Sequence, residues 1–441
     1  MALPDSRPRP IESWRWRIVG LLFLATMINY MDRLALYNTQ RYLLPEFEPD
    51  PEKRNLVYAN INFAFGLSFG LFQIVAGFLI DRFSLRWLYL GAIVVWSLAG
   101  LLTGFVPAGA VAALMVLRVV LGLGEAFNWP CAVACIRRVI PRESRSVANG
   151  FFHSGASIGA IATPLLVLLF VDTSTGEGWR TVFISVGAVG VLWAILWMAQ
   201  TRGERGRIID APPTADPGYE AEPTRSFAHV LGMFPFWICL GTGICVNLCW
   251  HFYNQWFPRY LTEDIRLTGR SEQWVLAGFY VAADLGSLFS GWLIRKRIRG
   301  GRTVETSRKQ TMLFLAITVF CASMPAAFIS SDHLWAKFAF FYIVAAAAMG
   351  GFAIFFSLAQ DIVPRHTAQI LGVCGCMSWL VISGVTKMIG DFNLAGPGKY
   401  ADLFALIGCV PLIAAIIGWQ WKEPKFDRSQ DTIAFSTIQT P

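Results

Sequence analysis

Apolar windows about the length of a membrane crossing recur along this chain, separated by short stretches where Arg, Lys, Asp, Glu, Pro and Gly collect. They begin near Ile18, Tyr58, Leu88, Val111, Val147, Thr181, Phe234, Trp274, Thr311, Phe338, Ala368 and Leu403. A hydrocarbon core of about 30 Å takes roughly twenty apolar residues in helix, so the pattern predicts twelve transmembrane helices. Between Thr201 and Ala228 the composition turns to Pro, Asp, Glu, Arg and Gly, as in Asp210 to Tyr219, which reads as a solvated linker. The predicted fold class is an all-α membrane protein of two pseudo-symmetric six-helix bundles. Residues 1–200 form the first bundle, 201–228 a cytoplasmic linker, and 229–441 the second bundle with a short tail.

Composition agrees with lipid as the main solvent. The 441 residues are 55% hydrophobic and 15% charged, against roughly a quarter charged in a soluble domain, and the mean hydropathy is +0.50. Arg7, Arg9, Arg15 and Arg17 precede the first apolar run in the manner of a secretion signal. That run lasts to Asn38, lacks a small-x-small cleavage site and carries Asn29, Asp32 and Arg33, so it is read as a retained first helix. All nine cysteines fall in predicted spans without the spacing of a zinc site, so neither a metal nor a disulfide framework is expected.

Positively charged loops resist translocation. With a cytoplasmic N-terminus most of the 37 basic residues fall on the cytoplasmic side, the densest run being Arg295, Lys296, Arg297, Arg299, Arg302, Arg308 and Lys309 after the eighth span. Both termini are therefore expected in the cytoplasm. The net charge of +8 follows from this loop bias and does not imply a nucleic-acid partner. Within spans the reading leaves only Arg33, Arg118 and Lys387 as basic residues.

An internal echo supports duplication. Gly77, Phe78, Leu79, Ile80, Asp81 and Arg82 follow the second span, and Gly291, Trp292, Leu293, Ile294, Arg295 and Lys296 follow the eighth. Repeated halves are a common build for secondary transporters, with the binding site near mid-membrane where they meet. Gly77, Asp81, Arg82 and Arg86 resemble the loop signature of the major facilitator superfamily between its second and third helices. The run Ile28 to Arg33, with Arg118 to Pro130 on span four, resembles the anion:cation symporter family, and Tyr280 to Ser287 resembles its hexuronate transporter branch. Three positions depart from the pattern: Ser84 stands where the loop signature usually has Gly, Arg295 where the second copy often has Asp, and Phe69 where Tyr is frequent. The resemblance implies a multi-pass inner-membrane protein that imports a sugar acid, a hexuronate or aldonate, with protons, and it assigns roles to Arg33 and Glu125.

The residues support the same chemistry on their own. An ionisable side chain within a span costs about 2.5 to 3.5 kcal/mol on insertion scales and usually faces a cavity and a partner. Span one offers Asp32 beside Arg33. Span four offers Arg118 and Glu125, seven residues apart and so on one helix face about 10.5 Å apart. These two acids and two bases could merely fasten the spans together, although small residues and hydroxyls normally do that in lipid. A guanidinium keeps its charge and grips a carboxylate through two parallel hydrogen bonds. A poorly solvated carboxyl can instead carry a proton. Arg33, with Arg118 second, is assigned to the substrate's carboxylate, and Asp32 and Glu125 to protons; no cofactor beyond that coupling proton is expected.

Hydroxyl and apolar contacts to a sugar acid are assigned to Tyr30, one turn before Arg33, and to Asn247, Trp250, His251 and Asn254, which share one face of span seven. The alternative for that stripe is packing against a neighbouring helix. His153 on span five is a further candidate, with packing as its alternative, and Trp379 and Gln360 come after these. Gly77, Asp81, Arg82 and Arg86 are assigned to gating, and Gly122 and Gly124 to backbone adjustment beside Glu125.

Two other functions compete. A phosphate antiporter needs basic residues from both halves, and the second half offers only peripheral Lys387 and His251 at mid-span. A membrane sensor needs a soluble domain, and Lys422 to Pro441 is too short for one. No span carries the motifs of a metalloprotease, a hydrolase elbow or a nucleotide-binding loop, so an enzyme is not expected. The expected partners are a small organic anion and the bilayer, around a monomer. Cysteines placed in the linker, on a background freed of native cysteines, are predicted to react only with a membrane-permeant reagent; ready labelling of intact cells by an impermeant reagent would overturn this topology.

Overall fold

The structure is a computed structural model that describes residues 10–80, 82–141, 144–172, 174–211, 227–267, 269–362 and 367–422. The first half comprises α1 (Pro10–Phe47), α2 (Arg54–Ile80), α3 (Leu85–Thr103), α4 (Val111–Glu125), α5 (Asn128–Val139), α6 (Arg145–Phe170) and α7 (Trp179–Gln200). Two short helices follow, α8 (Glu204–Asp210) and α9 (Phe227–Leu231). The second half comprises α10 (Phe234–Glu263), α11 (Arg270–Arg299), α12 (Val304–Phe328), α13 (Leu334–Ile362), α14 (Thr367–Asp391) and α15 (Tyr400–Trp419). Among the described residues twelve helices are long and apolar enough to cross a membrane, with α4 and α5 together making the fourth.

The same pairings occur in both halves. In the first, α1 packs on α6 and α7, α2 on α4, and α3 on α4 and α7. In the second, α10 packs on α14 and α15, α11 on α13, and α12 on α13 and α15. Between the halves α2 lies against α14 and α6 against α11, a twofold-related pair of seams. Two of the close helix contacts depend on glycine. Gly155 and Gly159 of α6 rest on the backbone of α1 at Phe23 and Met27, and Gly122 and Gly124 bring α4 against the backbone of α2 at Phe65 and of α3 at Ala92. Lipid supplies no hydrophobic drive between helices, so such close backbone approach is a main source of cohesion.

The fourth span breaks at Ala126 and Phe127, directly after Glu125. The backbone adjustment expected near that residue is thus an interruption just beyond the glycines. The stretch expected to be a solvated linker is folded at its start. Thr201 is buried and α8 lies under the first half, where Arg138 Nη1 donates to the Ile209 carbonyl at 3.0 Å. Asp210 accepts from the Ser84 hydroxyl at 2.8 Å and from the Arg86 amide at 3.0 Å, occupying the start of α3, where a carboxylate favours the helix dipole. Ser84, the departure from the loop signature, therefore has a partner that glycine would lack. Arg86 Nη1 donates to the Thr201 carbonyl at 2.9 Å, Arg82 is exposed, a Cβ at Gly77 would meet open space, and Asp81 lies outside the described residues.

A methyl group added at Gly159 would meet the Met27 carbonyl and Tyr30. Gly159→Ala is predicted to lower unfolding stability in detergent by about 1 to 3 kcal/mol, the usual cost of overpacking. Gly150→Ala, on the same helix in open space, should leave it within error; equal effects would remove the close-contact account of α1 and α6.

Candidate substrate and ion site

Arg33 lies in the middle of the long helix α1 and points to where the halves meet. Its Nε and Nη2 both donate to Glu125 Oε2 of α4, at 3.1 and 2.7 Å. Glu125 is fully enclosed, and its Oε1 has no hydrogen-bond donor. Four rings enclose the guanidinium, with centroids 5.4 Å (Tyr30), 5.2 Å (Phe65), 4.5 Å (Phe69) and 5.3 Å (Trp379) from Cζ. The first three belong to the first half, and Trp379 comes from α14 of the second. Aromatic faces attract the cation, more strongly the less water is present, and the same enclosure strengthens its attraction to Glu125. The His251 ring of α10 lies against Trp379, with centroids 4.5 Å apart and planes tilted by 47°.

The expected foursome is only partly assembled. Arg33 pairs with Glu125 across helices and not with its sequence neighbour Asp32. Asp32 turns the other way, against Gly100 of α3, and neither of its buried oxygens has a hydrogen-bond donor. Asp32 is therefore not the counter-charge of Arg33 despite standing beside it: adjacent positions on a helix point about 100° apart, so only one can enter the cage. Arg118 is buried on α4 near the Phe183 ring, 5.9 Å from its centroid, with Nε and Nη2 unpartnered. It stays out of ion-pair range of both acids among the described residues.

The span-seven stripe also divides. His251 reaches the cage through Trp379. Trp250 stacks on Phe279 of α11 at 5.9 Å and 7°, which is packing within the second half. Asn247 and Asn254 donate back to the Gly243 and Trp250 carbonyls at 2.8 and 3.1 Å, leaving Asn254 Oδ1 without a partner. His153 is exposed and lies outside the cage, with its ring against Trp129 at 4.6 Å and Phe356 of α13 at 6.1 Å. Those three rings join the halves on the side where α1 begins.

On the side where α1 ends, polar contacts close the seam. Tyr58 donates to the Gln255 carbonyl at 2.6 Å, Asn55 to the Ala395 carbonyl at 2.9 Å, and Arg41 Nη1 to the Leu267 carbonyl at 2.6 Å. Arg259 of α10 is fully buried; it donates to Gln40 Oε1 at 2.8 Å and pairs with Glu263, while the Tyr58 ring lies 5.1 Å away. Beyond α10, Asp264 accepts the Gly398 amide at 2.7 Å, and partial burial raises its carboxyl above the usual range. The sequence reading missed Arg259 and placed no such cation in the second half. Its twenty-residue window from Phe234 stops short, whereas α10 runs on to Glu263. Arg259 lies eight residues beyond His251, about 12 Å along the axis, so the cage itself still draws its cation from the first half. Lys387, the peripheral cation of the second half, pairs with Asp391 on its own helix.

Comparison with known proteins agrees with this architecture. The chain is 26% identical to a D-galactonate transporter of Escherichia coli O6:H1 over 437 residues, covering 94% of this chain and 97% of the relative. It is 25% identical to the hexuronate transporter of Escherichia coli K12 over 445 residues, covering 96% and 98%. A probable galactarate/D-glucarate transporter of the same strain is 24% identical over 451 residues, covering 91% and 93%. Among solved structures, a D-xylose-proton symporter superimposes with a TM-score of 0.73 at 14% identity, covering 92% of this chain and 98% of that one. A bacterial homolog of the human lysosomal transporter Spinster, in an inward-facing state, gives 0.69 at 18% identity, covering 94% and 95%. These relatives are transporters and not enzymes, and the two solved structures share the helical architecture described above. The family model of the Major Facilitator Superfamily matches residues 22–386, and the chain belongs to that superfamily.

Proposed function

We propose that the protein imports a sugar acid together with protons by alternating access, with Arg33 as the carboxylate grip and Glu125 and Asp32 as the proton carriers. One observation carries this reading: both donors on the Nε and Nη2 edge of Arg33 are committed to a single oxygen of Glu125. That edge is the one an incoming carboxylate would use for a bidentate contact. Ionised Glu125 and the substrate therefore compete for it. A proton on Glu125 cancels the charge that holds Arg33 and frees the fork, so proton and anion bind together. Asp32 is buried without a donor outside the cage, and supports a second proton site on the other face of α1.

The rings around Arg33 suit the C–H faces of a sugar acid, and Phe69 offers shape without a hydroxyl. The relatives named for D-galactonate and hexuronate favour a hydroxylated monoacid. Two protons with one monoanion carry net positive charge inward, which gains about 2.3 kcal/mol per 100 mV, and each pH unit adds about 1.4 kcal/mol per proton. The unpartnered edge of Arg118 favours one further reading, a second acidic group on the substrate. A thermal-shift panel of aldonates, uronates, aldarates, sugar phosphates and neutral sugars separates these: stabilisation by acids but not by neutral sugars supports the class, and stabilisation by sugar phosphates alone overturns it. We place the working protein in the inner membrane as a monomer with both termini cytoplasmic.

Wild-type affinity for the acid should rise as pH falls, because protonation removes the competitor of the substrate. Glu125→Gln should bind at alkaline pH as wild type does in acid, keep exchange in proteoliposomes, and lose uphill uptake under an inward proton gradient. Accumulation by Glu125→Gln equal to wild type would remove it from coupling. Arg33→Lys retains charge but not the fork; binding measured by calorimetry should weaken about ten- to hundredfold, the equivalent of about 1.5 to 3 kcal/mol, and further in Arg33→Gln. Unchanged affinity in both variants would move the carboxylate site elsewhere.

A further inference from the structure

Among the described carboxylates at the seam where α1 ends, one is enclosed without a hydrogen bond to either oxygen. Glu272 lies in the first turn of α11, with no exposed side-chain surface and no hydrogen bond to either oxygen. Its nearest cation is Arg41 of α1, on the opposite half, with Nη1 3.7 Å from Oε2. That nitrogen is already committed to the Leu267 carbonyl at 2.6 Å. The next residue, Gln273, donates to the Asn38 carbonyl at 3.3 Å, so the first turn of α11 is registered against α1 and Glu272 is enclosed by closure itself.

The groups around Glu272 are few. From α1 come Arg41 and the adjacent phenol Tyr42, whose hydroxyl is buried without a partner. On its own helix Arg270 is exposed, as are Arg266 in the preceding connection and Asp172 after α6, while Asp264 is turned to Gly398. The α11 dipole and Arg41 favour the ionised carboxylate. Against them stands the removal of both oxygens from water with no donor in return, the larger effect for an enclosed charge whose partner stays beyond hydrogen-bond length. When the halves part at this end, water reaches Glu272 and ionisation costs little.

We propose that Glu272 is a proton-binding site distinct from Asp32 and Glu125, which takes up a proton from the side where α1 ends as the halves close there and returns it to that side on opening. The proton adds nothing to transport stoichiometry, since it never crosses. Its effect is on timing: acid on that side favours closure over a loaded cage. The inference rests on alternating access and not on the identity of the substrate.

The test uses the full chain in lipid nanodiscs, without substrate or gradient. Asp32→Asn and Glu125→Gln silence the cage, and nitroxide labels replace exposed Glu52 and Asp332 on a background freed of native cysteines. Pulsed electron resonance then reads the closed-to-open ratio from about pH 6 to about pH 9, and one linked proton lowers it by up to about tenfold per pH unit as pH rises. Glu272→Gln should hold the ratio high and independent of pH. Arg41→Gln, which removes the one favourable charge across the seam, should extend the fall to higher pH, a change that misfolding would not produce. A pH response that survives Glu272→Gln, or none while Glu272 is present, overturns the proposal. Failure of Glu125 in coupled uptake leaves this measurement untouched, so the two readings stand or fall separately.

Discussion

The contact between Arg33 and one oxygen of Glu125 sets the terms for the rest of the molecule. A guanidinium cannot shed its charge, so a cation in the middle of the membrane needs an anion in every state of the cycle. Four rings then deny it water as a substitute. In the proposed cycle Glu125 and the carboxylate of a ligand compete for it, and exchanging them requires a change of protonation. The break after Glu125 and the glycine contacts that draw α4 onto α2 and α3 hold the carboxylate at this spot.

Around this centre the two seams differ in kind. Where α1 ends, the halves meet through hydrogen bonds to backbone carbonyls and through the enclosed Arg259 and Glu272. Where α1 begins, Trp129, His153 and Phe356 meet ring against ring. Hydrogen bonds between enclosed groups are directional and costly to leave unmade, whereas ring contacts tolerate sliding. Between them Trp379 of the second half lies over Arg33 and in ring contact with His251.

Much of this was legible in the sequence because lipid imposes simple rules. Span number, the paired halves and the choice of Arg33 and Glu125 as central followed from hydropathy windows and the rarity of charge within them. Pairing was not legible: the neighbouring positions of Asp32 and Arg33 suggest a couple, but helix geometry turns them about 100° apart. Of the span-seven stripe, His251 meets Trp379 of the cage and Trp250 meets Phe279 within the second half, because periodicity marks a face but not which neighbour that face meets. Trp379 was ranked last, since nothing local shows that α14 will cover α1. Arg259 and Glu272 escaped because helices outlast their hydrophobic windows, and their burial comes from contact between halves distant in the chain.

The short helix α8 has a mechanical consequence. Through Asp210, Ile209 and Thr201 it ties the start of α3, the end of α5 and the end of α7 at one face of the first half. The matching face of the second half shows, among the described residues, the ties Arg297 to Thr311, Arg302 to Gln310 and Lys309 to Glu305. Three helices joined through one short helix resist independent tilting, so this end of the first half is held as one piece.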